Sequence, residues 1–360
     1  MSPRYERRQR GGGGALLLLI AAAALVVAVL AIFTDAFSGK KAPDKDTDSP
    51  AVTQPADGEP DGTGDADNTA KDPEGDQKGG QSGNGDGNTD KSTVTTTKPA
   101  TPNVITTDAT PYQSGGVYIV GNAGYEMYNY VGSLAEKYQS TVNAVADSLS
   151  GVSNVYAMAI PLSSSITLPD SLLSDIPGSD QAQAEKDILA GMGQNIKTVP
   201  LHDVLNAHRT ALGAYYAYVQ FCNVKGITPH DLSDYEVSQY TGFLGSFYND
   251  GGKPQAMADD PDTVNAYHPV SSTAAMKYGS SENSELTGGK VIFDESTAAA
   301  SLKYGAFIMG DNPFTVIENP EVSNGQSCIV VKESFGNAFV PFLVDHYQTV
   351  YVVDYRYYGG

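Results

Sequence analysis

"CIVVKESFGNAFVPFLVDHYQTVYVVDYRYYGG", residues 328–360, decides how the folded part of this chain is read. An apolar run meets Lys332, Glu333 and Ser334, an apolar helix-like stretch follows, and "QTVYVVDYRYY" closes as a strand. Strand, helix and strand in that order is the unit from which parallel sheets are built. Ligands of such sheets bind beyond the carboxyl ends of the strands, which is where Ser334 falls. Its hydroxyl precedes a predicted helix amino end, whose backbone N–H groups could hold an oxyanion. The same position suits a plain helix N-cap, because Ser satisfies an orphan N–H there. Local sequence leaves both roles open.

Upstream, strand-like and helix-like segments keep alternating. "GGVYIVG" (115–121) reads as a strand, residues 125–151 as a helix, and 153–164 as a short buried strand. Residues 179–196 read as a helix, "KTVPLHDVL" (197–205) as a strand, and 210–227 as an amphipathic helix. The pattern predicts an α/β domain over 112–360 with a mostly parallel central sheet flanked by helices.

That segment holds eleven Lys and Arg against twenty-six Asp and Glu, a net charge of −15. That argues against a nucleic-acid partner, which needs the opposite sign. The five His are scattered and Cys222 and Cys328 lie far apart, so no metal-ligand spacing is present and no metal or cofactor is expected. The two Cys could form an extracellular disulfide or pack as free thiols in apolar runs.

The first ten residues carry four Arg against one Glu, and Ala15–Phe33 is an uncharged apolar run of nineteen residues. As a helix it spans roughly 28 Å, close to the hydrocarbon thickness of a bilayer. A cleaved signal has a shorter apolar core. The expectation is therefore a basic cytoplasmic segment (1–14), one transmembrane signal anchor (15–33), and everything after it outside the cell membrane. Residues 34–111 are rich in Asp, Gly, Thr and Pro with few large apolar side chains, and are expected to form a disordered tether with a span of about 50 Å.

Several motifs, taken in order, carry a resemblance: "TALGAYYAYVQFC" (210–222), "FLGSFY" (243–248), "GDNPFTVIEN" (310–319), "KESFGNAFVPFL" (332–343) and "VDYRYY" (353–358). Together they resemble the DHHW family of Gram-positive surface proteins, which is similar to the SGNH-hydrolase-like proteins of alginate O-acetylation. The resemblance implies a three-layer SGNH-hydrolase-like domain in which an Asp-x-His pair and a carboxyl-terminal Ser transfer acyl groups to or from a polysaccharide. Ser334 takes the nucleophile's place. The relatives' signature reads "DHHWTALGAYYAY", whereas this chain reads "LHDVLNAHRTALGAYYAY" and has no Trp. One alignment sets "NAHR" against the signature, with His208 as base and Asn206 in the place of the Asp. The other puts "LNAHR" upstream of a signature that is absent altogether.

The distinction matters because Ser is a weak nucleophile until a positioned base takes its proton, and an acidic partner stabilises the resulting imidazolium. Among the other histidines, His346 is twelve residues past Ser334 on an apparent common helix, about 18 Å along its axis. His230 and His268 read as loop residues, and His202 lies in a strand-like stretch. Asn312 and Asn337 could donate to a bound carbonyl or sugar hydroxyl, or be turn residues. The expected function is O-acyl, chiefly O-acetyl, transfer or removal on a cell-surface polysaccharide, with a membrane-bound O-acyltransferase as acyl-delivering partner. A catalytically degenerate glycan- or partner-binding domain is the alternative, and the twenty-two Tyr suit stacking on sugars.

Overall fold

A computed structural model describes residues 107, 109–208 and 212–358. The anchor expected over 15–33 and most of the tether lie outside these residues, among which no helix is long and apolar enough to cross a membrane.

The domain opens with an antiparallel meander, β1 (Tyr112–Ser114), β2 (Val117–Val120) and β3 (Ala123–Glu126). Helix α1 (Gly132–Ser148) leads to β4 (Val155–Met158), a helical turn α2 (Ser163–Ile166), α3 (Gln181–Ala190) and β5 (Ile196–Val199). Helices α4 (His202–His208) and α5 (Gly213–Lys225) follow. Next come β6 (Val237–Phe243), the short helices α6 (Ser246–Asp250) and α7 (Gln255–Asp259), and β7 (Asp262–Tyr267). The chain ends with β8 (Ala275–Gly279), β9 (Thr287–Gly289), β10 (Phe314–Glu318), β11 (Ser327–Lys332), α8 (Gly336–Leu343) and β12 (Thr349–Asp354).

The architecture is α/β, but the sheets are mixed. The five-stranded sheet runs β11-β12-β10-β8-β9, and only β11 and β12 pair in parallel. β4 and β5 form a separate parallel pair, and β6 and β7 an antiparallel one. The expectation of a mostly parallel sheet is corrected by residues 262–319, which supply four strands with no long helix between them. Without a crossover helix, neighbouring strands reverse direction. The pair β11–α8–β12 does form the unit read from the carboxyl end.

Boundaries shift where polar side chains intervene. The strand expected over 197–205 stops at Val199, and α4 starts three residues on. Buried Glu185 explains the break, since its Oε1 accepts the N–H groups of Leu201 at 2.6 Å and His202 at 3.0 Å. A carboxylate satisfies the orphan donors of a helix start and complements its dipole. Glu185→Ala strands these donors and is expected to cost about 1–3 kcal/mol, read as a lower urea midpoint at unchanged slope.

The main core forms where α5 and α8 pack over the strands, joining Tyr218, Phe221 and Cys222 to Phe339, Val340, Phe342, Val350 and Val352. Cys222 and Cys328 belong to this core as free thiols, so the disulfide option falls away. Burial pushes their pKa values up to about 11 and about 12, which makes both poor nucleophiles.

Candidate functional site

Ser334 lies half-buried in the turn between β11 and α8. Its Oγ donates to Glu333 Oε2 at 3.3 Å, and the same carboxylate oxygen accepts Phe335 N–H at 2.9 Å. The capping role foreseen for Ser334 is not taken up, because the N-cap of α8 is Phe335 and the helix has no side-chain cap bond. The next two amides are also engaged, Gly336 N–H to Glu333 O at 3.0 Å and Asn337 N–H to Ser334 O at 3.1 Å. The free oxyanion donors expected here are thus occupied, with one Glu333 oxygen accepting from both Ser334 Oγ and Phe335 N–H. Helix α8 leaves the strand so closely that a Cβ on Gly336 would stand 2.5 Å from Lys332 Cβ. Only glycine fits.

A network of charges holds both flanks of this turn. Buried Lys332 reaches Asp354 Oδ2 at 2.7 Å and Asp311 Oδ1 at 3.4 Å. Asn337, 1% exposed, donates to the same Asp311 oxygen at 2.7 Å. Arg356 bonds Asp354 through Nε at 2.9 Å and NH2 at 2.7 Å, and its NH2 also meets Asp311 at 2.9 Å. From a third side, Tyr304 hydroxyl donates to Ser334 O at 3.2 Å. Burial alone would push the Asp354 carboxyl up, but its bonds to Arg356 and Lys332 hold it below its ordinary value. Sequence reading did not single out this network. Its signal was present in Lys332 and Asp354 interrupting apolar strand runs, since a charge buried in a sheet needs a partner.

The side chains of His208, Asn312 and Asn337 each have local partners other than the Ser334 hydroxyl. His208 is exposed at the end of α4, and its ring stacks on Tyr216 at 3.6 Å. Asn206 shares that helix, two positions earlier. Asn312 donates to the carbonyls of Ile308 and Met309 at 2.8 and 3.3 Å. It thereby pins two consecutive residues with positive φ, 46° and 58°. Asn337 spends its amide on Asp311, away from solvent. Among the described residues no histidine hydrogen-bonds Ser334, and no group of His, Cys, Asp and Glu is placed to hold a metal ion.

His346 is not on the helix that follows Ser334, because α8 ends at Leu343. It turns inward, its Nε2 2.6 Å from the Tyr218 hydroxyl, which also accepts His230 N–H at 2.8 Å. Burial and then the neighbouring His230 hold His346 below its ordinary 6.5, with Asp345 acting the other way. The unfolded chain takes up this proton first on acidification, so the contribution to stability is whole above pH 6.5 and declines as pH falls below it. Thermal melts between pH 5 and 7 should lose midpoint on the acid side, and His346→Gln should flatten that slope.

His268 likewise has a local partner, Ser238 Oγ at 2.8 Å from its Nε2. One and two turns past Ser334, Ala338 and Phe342 of α8 wall a cavity of about 40 Å³ with Tyr215, Tyr267, Asn265 and Phe307.

The sequence profile of DHHW proteins matches residues 90–353. Among solved structures, a DHHW family protein from Eubacterium siraeum is 25% identical, with a TM-score of 0.60 over 69% of this chain and 86% of that one. Bacillus cereus PatB1 is 18% identical, with a TM-score of 0.54 over 70% of this chain and 90% of that one. The same protein with a sulfonyl adduct gives a TM-score of 0.51 at 18% identity, covering 68% and 86% of the two chains. These PatB1 likenesses show the fold alone. No curated protein matches.

Proposed function

Because the chain belongs to the DHHW family, we propose that residues 112–360 act on O-acyl groups, O-acetyl foremost, of a cell-surface polysaccharide, with Ser334 as nucleophile. The observation that carries this reading is the position of Ser334, at the carboxyl end of the parallel pair β11–β12 with both flanks tied to Asp311. Ser334 Oγ attacks the ester carbonyl, its proton passes to a base, and the sugar hydroxyl leaves. The acyl-enzyme then yields to water or to another sugar hydroxyl. Glu333 must swing away from Phe335 N–H to admit the carbonyl oxygen, and the cavity beside Ala338 suits a short acyl group. His208 serves as base once it leaves the Tyr216 ring. The apolar run 15–33 holds the domain outside the cell membrane, where a membrane-bound O-acyltransferase supplies acyl groups.

A second reading is a glycan- or partner-binding domain without turnover. It is favoured by one observation, that no described histidine hydrogen-bonds Ser334 while Glu333 occupies its hydroxyl. Hydrolysis of p-nitrophenyl acetate separates the two. For an enzyme, wild type turns over the ester and both Ser334→Ala and His208→Ala abolish it. For a binding domain, all three stay at the background rate.

A further inference from the structure

The register sets Lys332 opposite Asp354 at the end of the parallel pair, so Glu333–Phe335 and Tyr355–Tyr357 leave the sheet side by side. Each of these exits carries large aromatic rings into solvent, with Phe335 43% exposed, Tyr355 42% and Tyr357 55%. Tyr355 lies within electrostatic reach of Glu333, the residue that holds the Ser334 hydroxyl. Arg356 packs over the Tyr357 ring at 5.1 Å and extends to Asp311 at 2.9 Å, and both of those charged side chains are 31% exposed. The two segments that leave the sheet beside Ser334 thus carry three exposed aromatic side chains, the Arg356 guanidinium and the Glu333 carboxylate.

We infer that Phe335, Tyr355 and Tyr357 form a stacking platform for a strand of neutral hexopyranose units laid across Ser334. The inference rests on the proposed polysaccharide substrate and names its class. A pyranose presents an apolar C–H face to an aromatic ring, while its equatorial hydroxyls accept from a guanidinium and donate to carboxylates. The domain's net charge of −15 repels a uronate chain, and at the platform itself Lys332 and Arg356 balance Asp311 and Asp354 and leave Glu333 as the surplus negative charge. The occupant is therefore an uncharged or N-acetylated hexose polymer rather than a polyanion.

Isothermal titration of the full chain tests this without reference to turnover, using a β-1,4-linked N-acetylglucosamine tetramer and a galacturonate tetramer. The neutral tetramer is expected to bind and the uronate not. Phe335→Ala and Tyr357→Ala should each weaken binding about three- to tenfold, the double variant should lose it, and melting curves should stay unchanged because both rings are exposed. Equal affinity of the variants, tighter binding of the uronate, or no binding of either sugar overturns the platform. Failure of the ester assay alone leaves it standing, since binding is read separately.

Discussion

Asp354→Ala should lower stability by about 3–5 kcal/mol, because it leaves Lys332 buried with its closest counter-charge removed. The Asp354 side chain is 0% exposed and that of Lys332 4%. For a domain of this size the loss corresponds to a melting midpoint about 6–20 °C lower. A drop under about 2 °C in a thermal scan would show that Asp311, at 3.4 Å, suffices for Lys332. The pH dependence has a definite sign. Asp354 titrates below its ordinary value of 3.8 in the folded chain, so its contribution is complete above that value and disappears as pH falls through the folded one. Wild type should therefore show an acid limb below about pH 4 that is shallower in Asp354→Asn. Because the same ions anchor the turn around Ser334, reactivity of that hydroxyl toward a sulfonyl fluoride should fall with stability.

Phe342→Ala has a comparable expected cost, about 3–5 kcal/mol for emptying a buried aromatic position. Phe342 is 3% exposed and meets four tyrosine rings, Tyr215, Tyr218, Tyr235 and Tyr267, at centroid distances of 5.1 to 5.9 Å. It also walls the cavity beside Ala338, so truncation enlarges that space. Equilibrium denaturation reads the first effect. The second is read by comparing p-nitrophenyl acetate with the butyrate and hexanoate esters, where the variant should shift preference toward the longer chains. An unchanged preference would detach the cavity from the acyl group.

The β11–α8–β12 unit was legible because its apolar periods switch cleanly from strand to helix and back, and no buried charge competes until Lys332. The mixed sheet was not. β8 and β9 are short, with "AMKYG" and "TGG" offering little alternation, and their direction depends on pairing with residues far along the chain. The break between β5 and α4 was hidden because its cause, Glu185, lies on another helix. The place of Ser334 between β11 and α8 was legible from the switch of apolar period. In "GDNP" the Asn312 amide braces a turn while the carboxylate of its neighbour Asp311 ties down the Ser334 turn, a division of roles that the local sequence does not carry because Lys332, Asn337 and Arg356 lie far along the chain.

The strand order carries one more consequence, for biosynthesis. β12 lies between β11 and β10, yet synthesis reaches it after every other described strand. Until it emerges, β10 and β11 have no mutual bridge and Lys332 lacks Asp354, so the partner strands wait as open edges. The sheet is then closed in one late insertion, which couples maturation of the Ser334 turn to synthesis of the β12 segment. A ribosome stalled before Thr349 would present a nascent chain whose site has no floor, a natural target for quality-control proteolysis.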